Sequence, residues 1–305
     1  MDYEILKTLI KSGKISLKTQ QYAKKIIKPD IDLSQVGLKI DNFIRENGAQ
    51  PAWPVNLSIN NEAAHNTYDL EKPRILKEDD VLKVDVGVSI DGYITDSAQT
   101  IIFNKKHEKL KQSSSDALAA AKKYLTDNYK SARIQDVSNI IYNTIKKSGY
   151  TPVSNLTGHY ITRYTPHATP SIPNIVNTLP YKFIDYTEPF AIEPFVSTGT
   201  GFVNEGSELL IFEHIEDRAI RNKDAKKILE EIKEFKGMPF SEFWVGKDLS
   251  SFSRKFALRE LLKSEIISGY PVLLDKKDSL VSQTETTFII DKKDGLTDLV
   301  GIDEL

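Results

Sequence analysis

The chain has no cysteine, and that one absence removes disulfides, thiolate metal sites and a cysteine nucleophile together. Any metal held here must be held by oxygen and imidazole. Histidine is scarce as well, five in 305 residues, so each can be weighed individually. Long apolar runs are missing, and the N-terminal MDYEILKTLIKSGKISLKT carries charges throughout instead of the apolar centre of a signal peptide. A soluble, cytoplasmic protein with no membrane association is expected. Charge of one sign is also lacking. The net charge is −2 and lysine alternates with glutamate, as in KKILEEIKEFK, which leaves no basic footprint for nucleic acid. The length suffices to bury a large core, as one big domain or two ordinary ones.

What is present starts with VDVGVSIDGYITDS, residues 84–97. Val84, Val86, Val88 and Ile90 fall on one side of a strand, and Asp85, Gly87 and Ser89 on the other. A two-residue Asp91-Gly92 loop would set Ile90 opposite Tyr93, Gly87 opposite Asp96 and Asp85 opposite Ala98. Both aspartates then share one face as diagonal neighbours, with Cβ atoms about 7 Å apart or less. Gly87 and Ala98 are too small to fill the space between them, so a gap fit for a cation is expected there. Taken alone, such a hairpin is more often an acidic turn on a solvated face.

Helices are expected over about 2–47 and 107–148, with PAWPVNLSINNEAAHNTY extended between them because of its prolines. A second sheet-forming region spans 150–210. Residues 213–275 read as charged helices inserted before a final strand, SLVSQTETTFIID. His107, amid the charges of NKKHEKL, is expected at the surface, and His214 is expected to be structural or exposed. His65, His159 and His167 instead stand in apolar or glycine-flanked settings. Each alone is more often a structural histidine than a ligand. Glu193, isolated in AIEPF, and Glu285, flanked by threonines, change the balance. Four carboxylates and one histidine would balance two divalent cations about 3.5 Å apart with a bridging water, an arrangement suited to hydrolysis of an amide or phosphate bond. Oxygen-rich ligation favours manganese, iron or cobalt.

The order Asp85, Asp96, His159, Glu193, Glu285 resembles that of the methionine aminopeptidases and their pita-bread relatives. The segments PVNLSINNEAAH, VDVGVSIDGYITDSA, SIPN, AIEPF and QTE, the spacing from His159 to His167, and the inserted segment are similar to the archaeal branch of the type 2 enzymes. The resemblance covers nearly the whole chain. It implies an α+β pita-bread fold, antiparallel sheets covered by helices, formed by residues 1–212 together with 276–305. Residues 213–275 would be an inserted helical, winged-helix-like subdomain.

The resemblance further implies a dinuclear-metal aminopeptidase that removes the initiator methionine, preferring a small second residue. Two divalent ions per chain, cobalt, manganese, iron or zinc, would be bound. Asp85 would chelate the first, Asp96 and Glu285 would bridge both, and His159 with Glu193 would hold the second. Glu193 would also shuttle a proton. His65 would contact the scissile amide, His167 the carbonyl or its oxyanion, and Trp53 and Phe195 would line the side-chain pocket. Partners would be the N-terminal peptides of nascent chains, with transient ribosome association, no nucleic acid bound by the chain itself, and a monomeric state. Relatives usually carry phenylalanine at position 53, an aliphatic residue at 166, glycine at 169 and histidine at 286. Trp53, Pro166, Thr169 and Thr286 are therefore expected to surround the pocket and alter its preference. Two alternatives are a proline-specific aminopeptidase of the same fold and a non-catalytic pita-bread protein that binds ribosomes or RNA.

Overall fold

In the computed structural model, which describes residues 2–176, 188–291 and 293–302, the chain begins with helix α1 (Tyr3–Ile26), capped by Asp2, whose carboxylate accepts from the Glu4 N–H at 2.8 Å. Helix α2 (Leu33–Glu46) follows, capped the same way by Asp32. Three short strands, β1 (Gln50–Pro51), β2 (Asn56–Ile59) and β3 (Glu62–Ala64), carry the proline-rich segment to the long hairpin β4 (Val81–Ile90) and β5 (Tyr93–Ile102). Its register is the expected one: Ile90 faces Tyr93, Gly87 faces Asp96 and Asp85 faces Ala98. Asp91 and Gly92 both have positive φ, 52° and 84°, the conformation that matches the strand twist in a two-residue turn.

The even-numbered valines of β4 pack into a core with Ile15, Ala23, Val36 and Ile40 of the first two helices. Helix α1 also lays a polar stripe across the hairpin. Ser12 donates to the Val88 carbonyl at 2.8 Å, and Gln20 donates to that of Ser97 at 2.8 Å. The odd-numbered face, with Asp85, is left for the interior of the molecule.

Helices α3 (Glu108–Asn128) and α4 (Ile134–Lys147) cover a second sheet in the same manner, burying Leu118, Leu125 and Ile141 against Tyr160, Phe190 and Phe288. That half is built from β6 (Thr151–Pro152), β7 (Thr157–Thr162), β8 (Thr165–Pro173), β9 (Phe190–Ile192) and β10 (Phe195–Ser197). Next come strand β11 (Asn204–His214), helix α5 (Lys223–Lys233), strand β12 (Phe240–Ser241), helix α6 (Ser251–Lys263) and strand β13 (Ile267–Leu274). The chain returns through β14 (Val281–Gln283), β15 (Thr286–Asp291) and β16 (Gly295–Asp298) to a five-stranded sheet ordered β16-β15-β9-β7-β8. A two-bond bridge between Ala98 and Glu285 stitches the hairpin to this half.

Two expectations change. Residues 213–275 contain the expected charged helices, but also β12 and the eight-residue β13, which pairs with β11 and β3. His107 is buried, not exposed: its Nε2 lies 3.1 Å from the Asp79 carbonyl, while its charged neighbours Lys105, Lys106 and Glu108 are exposed. His214 is partly buried and sits 3.1 Å from Asp217. The acidic chain end, residues 303–305, lies outside the described residues. Among the described residues no helix is long and apolar enough to cross a membrane.

Candidate active site

Five side chains singled out from the sequence converge where the two halves meet. Asp85 comes from β4 and Asp96 from β5, and the Ala98–Glu285 bridge brings Glu285 alongside them. The Thr287 hydroxyl clasps the Asp96 backbone, accepting its N–H at 2.7 Å and donating to its carbonyl at 2.8 Å. His159 stands on β7, paired with Ala191 of β9, and Glu193 follows β9 directly. His159 Nε2 lies 3.5 Å from Asp96 Oδ2 and 3.7 Å from Glu193 Oε1. Ligand atoms of Asp96, His159 and Glu285 all fall within 4.8 Å of one another.

The electrostatics of this cluster are unfavourable without a cation. Burial and mutual repulsion hold Asp85, Glu193 and Glu285 well above the usual carboxylate range, and burial pushes Asp96 up to about 8. Burial also drives His159 down to about 4, keeping the ring neutral. Its Nδ1 is 3.2 Å from the Tyr160 carbonyl and so carries the proton, which leaves the Nε2 lone pair facing carboxylate oxygens. A proton or a cation has to lie between them. Asp96 Oδ1 and Glu285 Oε1 are buried and receive no hydrogen bond from an N–H or hydroxyl group among the described residues, and the two carboxyls lie within hydrogen-bonding reach of each other, a contact that needs a shared proton or a cation. Atoms that share one shell at about 2.1 Å from a cation stand about 3.0–3.4 Å apart, close to the spacing seen here. The donor set thus fits divalent metal, the usual way to satisfy buried, converging carboxylates.

Above the cluster lies a cavity of about 260 Å³ lined by Trp53, His65, His167, Thr169, Phe195 and Tyr270, among others. His65 sits in left-handed backbone, φ 64°, and its Nδ1 is 3.3 Å from the Pro271 carbonyl. Such backbone costs on the order of 1–3 kcal/mol in a non-glycine residue and is typical of functional sites. Burial and the neighbouring His167 lower His65 to about 4. His167 is driven lower still, first by its surroundings and then by His159, whose ring centroid is 4.7 Å away. The residue is nevertheless exposed at the cavity.

The five candidate ligands together with Trp53, His65, His167, Thr169 and Phe195 lie at this site, but two details differ. The space over Gly87 is not open: a Cβ there would come 2.5 Å from the Trp53 ring, so the glycine admits an indole. Neither Thr286 nor Pro166 lines the cavity: the Thr286 hydroxyl donates to Asp298 at 2.7 Å, and Pro166 meets the site only through its carbonyl beside His159. Sequence reasoning also missed Gln283, whose amide donates to Glu193 Oε2 at 3.3 Å and Glu285 Oε2 at 3.2 Å. It missed Tyr270 too, edge-on to His65 with centroids 5.3 Å apart. Neither residue carries a signal of its own, because a glutamine in a strand and a tyrosine beside proline are ordinary.

Comparison with known proteins agrees with this geometry. Residues 7–223 match metallopeptidase family M24. The chain is 40% identical over 285 residues to the methionine aminopeptidase of Pyrococcus abyssi, covering 93% of this chain and 96% of that one. Among solved structures, a thermophilic Arx1 superposes with TM-score 0.82 at 16% identity, over 98% of this chain and 91% of that one. The methionine aminopeptidase of Rickettsia prowazekii superposes with TM-score 0.70 at 19% identity, over 98% of each. The fold is the pita-bread fold, and the chain belongs to metallopeptidase family M24.

Proposed function

We propose that this chain is a metal-dependent aminopeptidase that removes methionine from the N-terminus of newly made proteins, favouring a small second residue. The observation that carries the reading is the imidazole of His159 and four carboxyl groups, two buried and two half-buried, converging at a cavity of about 260 Å³, a space suited to a chain end. Two divalent cations would be held by Asp85, Asp96, His159, Glu193 and Glu285, with Asp96 and Glu285 shared. Such ions polarise a carbonyl and lower the pKa of water, and the carboxylate-rich donors suit manganese, iron or cobalt, with zinc a further candidate.

The chain's own groups supply the rest. Glu193, held by Gln283, would take a proton and return it to the leaving amine. His65, with its proton fixed on Nδ1 by the Pro271 carbonyl, presents Nε2 as an acceptor for the scissile amide N–H. His167 would hydrogen-bond the carbonyl oxygen, and Trp53 and Phe195 would wall the side-chain pocket. The substrate, a new N-terminus, supports a cytoplasmic setting with transient ribosome contact, and we read the chain as a monomer. Residues 213–275 would form an inserted subdomain on a catalytic body of 1–212 and 276–305. Support comes from a separate core of Ile228, Ile232, Phe240, Ala257 and Leu261.

Purified, metal-loaded protein should release methionine from peptides beginning Met-Ala, far less from Met-Lys, and nothing from Ala-Pro. No release from any of them, with the metal sites saturated, would sink the enzymatic reading and favour a non-catalytic binding role. Preference for Ala-Pro would make it a proline-specific enzyme.

A further inference from the structure

Trp53 does more than line the cavity. It is almost fully buried, 7% exposed, and packs against Ile94, Ile161, Ala191 and Met238. Its indole N–H donates to Asp85 Oδ1 at 3.3 Å. The benzenoid edge of the ring lies over Gly87, where a Cβ would come 2.5 Å from Cη2 and Cζ3. Gly87 is two residues beyond Asp85 on the same strand face and directly opposite Asp96. The indole therefore occupies the strand surface beside both aspartates while its polar end reaches only one of them. Asp85 is a half-buried carboxylate diagonally across from Asp96, and a fixed donor on Oδ1 limits its rotation.

We propose that Trp53 is a positioning residue of the metal centre: with Gly87 as its seat, its N–H orients Asp85 and sets the affinity of the one cation that Asp85 chelates. This rests on the function proposed above. A residue that hydrogen-bonds a metal ligand commonly changes metal affinity by about 10- to 100-fold when removed. A phenylalanine at position 53 keeps the packing surface but has no donor. An alanine at position 87 keeps the donor but pushes the ring from its seat. The two substitutions disturb one contact from opposite sides, so their effects overlap and do not add.

The test is calorimetric titration of chelator-treated protein with manganese, for the wild type, W53F, G87A and the double variant. W53F is expected to bind one of two cations about tenfold more weakly and the other unchanged, with its circular dichroism intact. G87A should reproduce the loss, and adding it to W53F should change little. The wild type offers a check that needs no substitution, because the chain has only two tryptophans, Trp53 and Trp244. On titration with diamagnetic zinc, the Trp53 indole N–H resonance should shift with the first equivalent while that of Trp244 stays. Equal affinities in wild type and W53F, equal weakening of both sites, or an unmoved Trp53 resonance overturns the inference while leaving the proposed function standing. A wild type that binds no cation at all overturns that function instead.

Discussion

Asp96 is the residue on which the site's electrostatics turn. It adds to the repulsion felt by Asp85, Glu193 and Glu285, and one of its own oxygens receives no hydrogen bond from an N–H or hydroxyl group among the described residues. Its carboxyl is pushed from 3.8 up to about 8 by burial, so the folded, metal-free chain binds protons more tightly than the unfolded one. For an acid raised in this way, the stabilisation is complete below the unfolded value and disappears as pH rises through about 8. Chelated protein is therefore expected to melt several degrees higher at pH 6 than at pH 8, in scanning fluorimetry. Metal-loaded protein should reverse the order, because cations compete with protons for the same oxygens. Asp96→Ala should flatten the pH dependence of the chelated protein, abolish binding of two cations and reduce hydrolysis to background, with the fold kept. A variant that still binds two equivalents would remove Asp96 from the shared position. The five candidate ligands were legible in sequence because ionisable side chains are conspicuous among apolar, glycine and threonine neighbours. The hold of Trp53 on Asp85 was not, since 32 positions separate them and only the fold brings them together.

At the scale of elements, the hairpin shows why some pairings can be read directly. A two-residue turn leaves one register, so the partners of Asp85 and Asp96 followed from the position of Asp91-Gly92. The same turn is a point of weakness. Gly92 has φ 84°, and a Cβ on it would come 2.6 Å from the ring of Tyr164, the residue whose backbone N–H donates to the Gly92 carbonyl at 2.9 Å. Gly92→Ala should destabilise the protein by about 2 kcal/mol or more in urea melts, from left-handed strain with the clash added. Strand β13 was read as helix because its glycine and proline break any alternation and the charged α6 runs into it. The helix in fact ends at Lys263, and Glu265 takes a left-handed turn, φ 54°. A second polar knot ties α2 to the segment after α5. The Tyr68 hydroxyl donates to Asp41 at 2.7 Å, and the Trp244 indole donates to the same carboxylate at 3.2 Å. Burial raises Asp41 from 3.8 to about 6, so this group favours folding below 3.8 and loses that contribution as pH rises through 6, about 3 kcal/mol in all. Tyr68→Phe removes a donor to the ionised carboxylate and should cost about 2 kcal/mol at pH 7. Below pH 5, where Asp41 is protonated, the cost should shrink, and a loss independent of pH would point to packing instead.

Across the whole molecule, two helix-covered sheet systems meet at the candidate site, and the 213–275 segment leans over its mouth. Composition and periodicity located the helices and the hairpin, but not how far this segment participates. Its apolar core packs Ala225, Ile228, Leu229, Ile232 and Leu261 around Phe240 and takes in Phe212 from just outside the segment. Its edges reach further, since β13 pairs with β3 and sets Tyr270 and Pro271 against His65. Pro239 also lines the cavity, and Met238 packs in the Trp53 cluster. None of the five candidate ligands lies within 213–275. His214 pairs with Ile267 across β11 and β13, so residues 217–264 can be replaced by a short glycine-serine loop without breaking either strand. Phe212, Ile266 and Ile267, whose packing partners leave with the segment, would be changed to serine in the same protein. This shortened chain is expected to bind manganese with nearly the wild-type stoichiometry, because the cluster's supports, Gln283, Thr287 and the Ala98–Glu285 bridge, are all retained. It should melt at lower temperature, having lost the tie between Trp244 and Asp41. Its KM for a Met-Ala peptide should rise more than its kcat falls, because part of the cavity wall is gone while the groups beside the scissile bond remain. Loss of cation binding in a chain that still shows its strand signature would mean that the segment helps hold the cluster and is not a subdomain set upon it.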